Sequence, residues 1–350
     1  MSLSPVRSLG LALAALALAG AGTLVSCGQP SSPAGTAGDL TAVREPVTGA
    51  ESSILLPTGR IDLTVGDPVA SVPADQTQKL TAIEAPDGGS LVPVGWSYDR
   101  SAAPWGQDLA APSLEPEVSL RIDSRSYALG SPYTVTADGA VATSPDDGYF
   151  VAVEGSPSPD EITLEVEYDG VAQVVDAASG ERDPGLAADL YDLPLQRPGG
   201  VRCPNSGWQE KSPALDVRLD CTISSVGRSP YYPEAGWAPE GREWVVVEVP
   251  EVRLLRAVAT DPSGSTSYRV LSITDVTTLG PARPVSPLVQ QPQPREYVVG
   301  GTLVFAVARD ATDRLRLSLD VELEAADVSG ASSAPDSVRL SVSHPVDLPD

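Results

Sequence analysis

Two stretches of strict alternation limit what this chain can fold into more than any other feature. In "EITLEVEYDG", Ile162, Leu164, Val166 and Tyr168 occupy every second position, with Glu161, Thr163, Glu165 and Glu167 between them. Residues two apart share one face of a strand, whereas a helix brings together residues three and four apart, so the pattern fits a strand with one face on a core and the other in water. "LRLSLDVEL" repeats it, with Leu315, Leu317, Leu319 and Val321 inward and Arg316, Ser318, Asp320 and Glu322 outward. Asp169-Gly170 then links Tyr168 to the run "VAQVV", and such a two-residue link accepts the positive φ angles of a type I′ hairpin turn. Short Val, Leu and Tyr runs separated by Gly, Pro, Asp and Ser clusters fill the rest. The best helical candidate is "DPGLAADLYD", where Asp183 can cap a turn beginning at Pro184. The fold expected is all-β, built as antiparallel sandwiches.

The alternation recurs at long range. "APDGGSLVPV" (Ala85 to Val94) aligns with "APEGREWVVV" (Ala238 to Val247) at an offset of 153, as do the two alternating strands. Ile61, Asp62 and Leu63 match Leu215, Asp216 and Val217 at 154. Ordered matches of this kind indicate a tandem duplication, with one sandwich over 54–197 and a second over 198–350. The two phenylalanines leave one ambiguity. Pairing Phe150 with Phe305 demands an offset of 155, while 154 matches Tyr149, Val151 and Val153 with Leu303, Phe305 and Val307. A one-residue slip turns a strand inside out, so only one can hold.

The amino end reads differently. Arg7 precedes an uncharged run of mostly Leu, Ala and Gly from Leu9 to Gly22, the pattern of a secretory signal. The run is shorter than the roughly 20 residues of a membrane-spanning helix. Leu24, Val25, Ser26 and Cys27 resemble the lipobox of bacterial lipoproteins, which implies a signal peptide over 1–26, removed before Cys27, and a diacylglyceryl thioether on its sulfur. Two acyl chains hold a protein stably where one does not. Residues 27–53, the lipidated cysteine and the Gly-, Ala-, Ser- and Pro-rich stretch after it, are expected to form a disordered tether spanning on the order of 30 Å as a flexible coil.

Composition sets the compartment and removes several functions. The chain has 34 Pro, 31 Gly and only two Lys among 23 basic residues. This bias toward GC-rich codons predicts a high-GC bacterium, an actinobacterium. With 47 acidic residues the net charge is −24, so nucleic acid would be repelled. Cys203 and Cys221 form an even pair in an exported protein, for which a disulfide is the default. His344 is the sole histidine, near the carboxyl end on a strand expected to fray, so a histidine-based catalytic arrangement has little to draw on. Phosphate-binding glycine motifs are absent from the sequence.

"EGREWVVVEV" followed by "YVVGGTLVFAVARDATDRLRLSLDV" resembles the immunoglobulin-like, telokin-like domains of Gram-positive surface lipoproteins, from about Pro198 onward. The first half departs from that pattern, with "DDGYFVAVEG" in place of the Gly-Thr-Leu-Val-Phe strand. The resemblance implies an immunoglobulin-like sandwich acting as a binding or scaffolding module, with no catalytic residue set and no cofactor.

The remaining candidates are few. Asp146 and Asp147, and Asp160 with Glu161, are carboxylate pairs that suit either solvated turns or a weak calcium site, and an acidic dyad is the remotest alternative. Trp96 shares a face with Val92, Val94 and Tyr98 and reads as core. Trp105 and Trp237 lie among Pro, Gly and Ala outside any strand pattern and are the candidates for exposed binding aromatics. The expected function is a non-catalytic lipoprotein held at the outer face of the cell membrane through Cys27, acting as a binding or scaffolding protein of the cell envelope with an envelope protein or glycan as partner. A module binding cell-wall glycan through loop aromatics is the alternative, and a calcium-dependent or hydrolytic enzyme the outsider.

Overall fold

A computed structural model describes residues 34–104, 114–137, 140–144, 148–193, 201–203, 209–210, 215–291, 298–309, 311, 314–330 and 332–346. The fold is all-β, with every named strand pair antiparallel.

In the first half two five-stranded sheets face one another. One runs in the order Leu40–Ala42, Gly148–Glu154, Gly89–Asp99, Gly59–Val65, Ala50–Leu56. The other runs Arg182–Asp183, Val171–Asp176, Ile162–Tyr168, Glu117–Ile122, Arg125–Gly130. Ile61, Leu63, Val92, Val94 and Val151 of the first sheet meet Val118, Leu120, Ile162, Leu164 and Val166 of the second in one core. Trp96, only 6% exposed, belongs to it and meets Tyr149 edge-on at 5.4 Å. The hairpin turn forms as the sequence predicts, with Asp169 at φ 50° and Gly170 at φ 75°.

The second half is one folded sheet. Strand Arg242–Asp261 pairs with Ser225–Ser229 and Val298–Ala308 along its first part. Further on it pairs with Leu215–Ile223 and then turns directly into Gly264–Asp275. That strand passes to Leu315–Gly330, and this to Ser337–Val346. Val245, Val247, Val249, Leu303 and Phe305 of one layer pack on Leu317, Leu319, Val321, Leu340 and Val342 of the other.

Strand register decides between the two phenylalanine alignments. Val92 faces Val151 and Val94 faces Tyr149; at an offset of 153, Val245 faces Phe305 and Val247 faces Leu303. Phe305 therefore matches Val151, and the offset of 154 holds. Phe150 points the other way, into a small cluster with Val43, Val72, Leu91 and Ala152. The third anchor of the duplication is corrected. On the other side of the same strands Val65 faces Val94, whereas Val226 faces Val247, and Leu215 and Val217 lie opposite Ala259 and Ala257. The Ile61 to Leu63 and Leu215 to Val217 segments thus sit at different levels of their sheets.

The expected tether is also corrected over its described part. Ala34 bridges Glu84, Leu40–Ala42 is an edge strand on Gly148–Glu154, and Ala50–Leu56 forms a hairpin with Gly59–Val65. Small and polar residues concealed these strands because edge positions require ladder hydrogen bonds more than apolar bulk. Gly49 supplies close approach rather than slack: a Cβ there would lie 2.0 Å from the Val65 carbonyl oxygen. The helical candidate is a 3-10 segment, Gly185–Tyr191, whose Gly185 amide donates to Asp183 Oδ1 at 3.2 Å. His344, expected on a fraying end, is buried opposite Leu317 in strand Ser337–Val346.

Candidate functional site

Trp237, the aromatic singled out in the second half, lies with Tyr231 at a joint between the two sandwiches. Ser229-Pro230 turns the chain: Ser229 Oγ donates to the Tyr231 carbonyl at 2.6 Å and accepts from the Tyr231 amide at 3.0 Å. The short strands Tyr231–Tyr232 and Gly236–Trp237 then pair as a hairpin, and Trp244 Nε1 secures its base by donating to the Gly236 carbonyl at 2.9 Å. The hairpin's tip enters the first sandwich. Tyr231 is 4% exposed and packs in the first core, with its ring 5.6 Å from Tyr168 and 5.1 Å from Trp237.

Trp237 is half-buried rather than displayed. Its ring packs on the first core and its Nε1 donates to the Tyr168 carbonyl at 2.9 Å, beside the Asp169-Gly170 turn. Burial pushes the Tyr231 hydroxyl up to about 12, with the nearby Asp169 carboxylate acting in the same direction, and raises Tyr168 further. Both phenols stay neutral at ordinary pH. A second contact lies on the flank, where Arg309 reaches Asp189 of the 3-10 segment at 2.5 Å. Close by, Arg228 pairs with Glu243 and donates from Nη2 to the Ala311 carbonyl at 2.7 Å. Burial raises Glu243 and the Arg228 hydrogen bond opposes it.

Chemically this is a packing joint: its rings stack edge-on, the Trp237 ring nitrogen is spent on the Tyr168 carbonyl, and the exposed Asp169 carboxylate lies at its edge. The expectation that Trp237 stands fully exposed is thereby corrected. Trp105, Asp146, Asp147 and Cys27 lie outside the described residues. Glu161 is occupied structurally, accepting from the Ser158 amide at 2.8 Å and the Ser158 hydroxyl at 2.9 Å as a capping box before strand Ile162–Tyr168. Cys203 faces Cys221 directly in the antiparallel pair Val201–Cys203 with Leu215–Ile223. Among the described residues no group of three or more His, Cys, Asp or Glu could hold a metal, and no helix is long and apolar enough to cross a membrane.

The joint escaped the sequence reading because its strands are two residues long and cannot show a period of two. The available signal was three large aromatics in a seven-residue Pro- and Gly-containing excursion, "YYPEAGW". No family model, no curated protein and no solved structure matches the chain.

Proposed function

We propose that the mature protein begins at Cys27, carries a diacylglyceryl thioether there, and displays its two joined sandwiches on the outer face of the cell membrane as a non-catalytic binding or scaffolding module. The observation that carries this reading is the lipobox Leu24 to Cys27 directly after an uncharged apolar run. The position of the folded body supports it: Ala34, seven positions beyond that cysteine, already bridges Glu84. Exported chains meet oxidising conditions, and we infer that Cys203 and Cys221 form a disulfide. Directly facing antiparallel residues lie about 4.5 to 5.5 Å apart at Cα, inside the range a disulfide spans.

The test is the intact mass and amino-terminal sequence of protein taken from its native membrane. A chain starting at Cys27 with two acyl chains on the sulfur glycerol is expected, and Cys27→Ser should release the body into the medium. A mature terminus elsewhere, or an unmodified Cys27, overturns the reading. Glycan binding through paired loop tryptophans is the weaker alternative, since Trp237 is committed to the joint.

A further inference from the structure

One turn of the first half holds an exposed apolar side chain in a left-handed conformation. Leu80 is 60% exposed and sits at φ 54°, a conformation that is a genuine outlier for a bulky L-residue. The turn that holds it is fixed. Thr77 is fully buried, its hydroxyl donates to the Thr81 carbonyl at 2.9 Å and accepts from the Thr81 amide at 3.0 Å, and the Leu80 amide donates to the Thr77 carbonyl at 3.1 Å. Leu80 is thus pointed outward by a built scaffold.

Its place in the chain indicates what it faces. Ala34 pairs with Glu84, which is four positions from Leu80, so Leu80 lies within about 20 Å of Ala34. Seven residues join Ala34 to Cys27, a reach of at most about 25 Å. A membrane holding Cys27 can therefore reach this turn. The Arg44 amide donates to the Gln76 carbonyl at the same turn. Exposed Arg44 and Lys79 there offset Glu45 and Asp75, with exposed Glu84 adding one negative charge, so the face is close to neutral on a chain of net charge −24, which weakens its repulsion from anionic headgroups.

We propose that the Thr77 to Thr81 turn is a lipid-contact foot, with Leu80 entering the boundary between headgroups and acyl chains and Lys79 at the lipid phosphates. This rests on the membrane anchoring proposed above, and its test supplies the anchor chemically. A chain starting at Cys27 is coupled through that thiol to a maleimide phospholipid in phosphatidylcholine–phosphatidylglycerol vesicles, and amide exchange is compared with the same chain capped by a soluble maleimide. Exchange at Leu80 and Thr81 should slow by roughly tenfold on vesicles, the factor that burying one leucine side chain corresponds to, while residues 254–256 around the similarly exposed Leu255 stay unchanged. Leu80→Gly relieves the positive φ and folds at least as well, yet should abolish the slowing; Leu80→Asp should do the same. Equal exchange on and off vesicles, or equal slowing in Leu80→Gly, overturns the proposal. Failure of the native anchor would appear separately, as an unmodified Cys27 in protein from the native membrane.

Discussion

The two sandwiches diverge most where each passes from its first layer to its second. In the first, strand Gly89–Asp99 ends and residues 100–116 intervene before Glu117–Ile122 opens the facing sheet. In the second, only Pro262 and Ser263 separate Arg242–Asp261 from Gly264–Asp275, so one sheet folds over on itself. Bulges make that possible. Register breaks between Val249 and Val252, at Arg218/Leu219, at Ser267/Tyr268 and between Val270 and Ser272 bend the long strands, while the first sandwich shows a break at Val118/Ser119. A common alternating pattern can thus close its core either by a crossover or by a bent ribbon.

The comparison can be broken most severely at the matched inner position. Phe305→Ala should cost roughly 3 to 5 kcal/mol in denaturant unfolding, because Phe305 is fully buried in the second core. Phe150→Ala should cost clearly less, since Phe150 serves only the small outer cluster. Equal losses would contradict the 154 offset. Reducing the proposed Cys203–Cys221 bridge should remove about 3 kcal/mol, the chain-entropy value for a loop of this size, with faster amide exchange confined to the second sandwich.

The ribbon itself is sharpened by Gly264→Ala. A Cβ there would meet the Ser329 carbonyl oxygen at 2.0 Å, so a loss of about 1 to 3 kcal/mol is expected, with exchange rising first at residues 258–267. The smallest effect is acid sensitivity. Asp261 is held down to about 2 by the Ser333 and Ser263 amides, the Ser333 hydroxyl and the Gly264 amide. Because its folded pKa lies below its unfolded value of about 3.9, its stabilisation is present above that pH and is lost as pH falls toward 2. Asp261→Asn should remove that acid-dependent loosening of the turn, read from amide shifts of Ser263 and Gly264; an unaltered profile would assign the effect elsewhere.

Much of this architecture was legible because half-buried strands advertise themselves: Ile162 to Tyr168 and Leu315 to Val321 alternate in sequence and bury alternate residues in the fold. The hairpin at Asp169-Gly170 was readable for the same local reason. Long-range relations were not. Residues 40–42 and 50–53 looked like tether because such short polar stretches carry no period, although 50–53 pair in a local hairpin with residues 62–65 and 40–42 join a strand far along the chain. Trp237 looked exposed because its neighbours are Pro, Gly and Ala, but its partner, Tyr168, lies 69 residues earlier. No local pattern encodes such a contact.

Calorimetry of the folded body tests most directly the claim that an aromatic hairpin of the second sandwich completes the core of the first. Intact protein should unfold in one cooperative transition, and the double substitution Tyr231→Ala with Trp237→Ala should lower the midpoint and split it into two. Two separate transitions in the intact protein, or an unsplit and unshifted transition in the double variant, would contradict it.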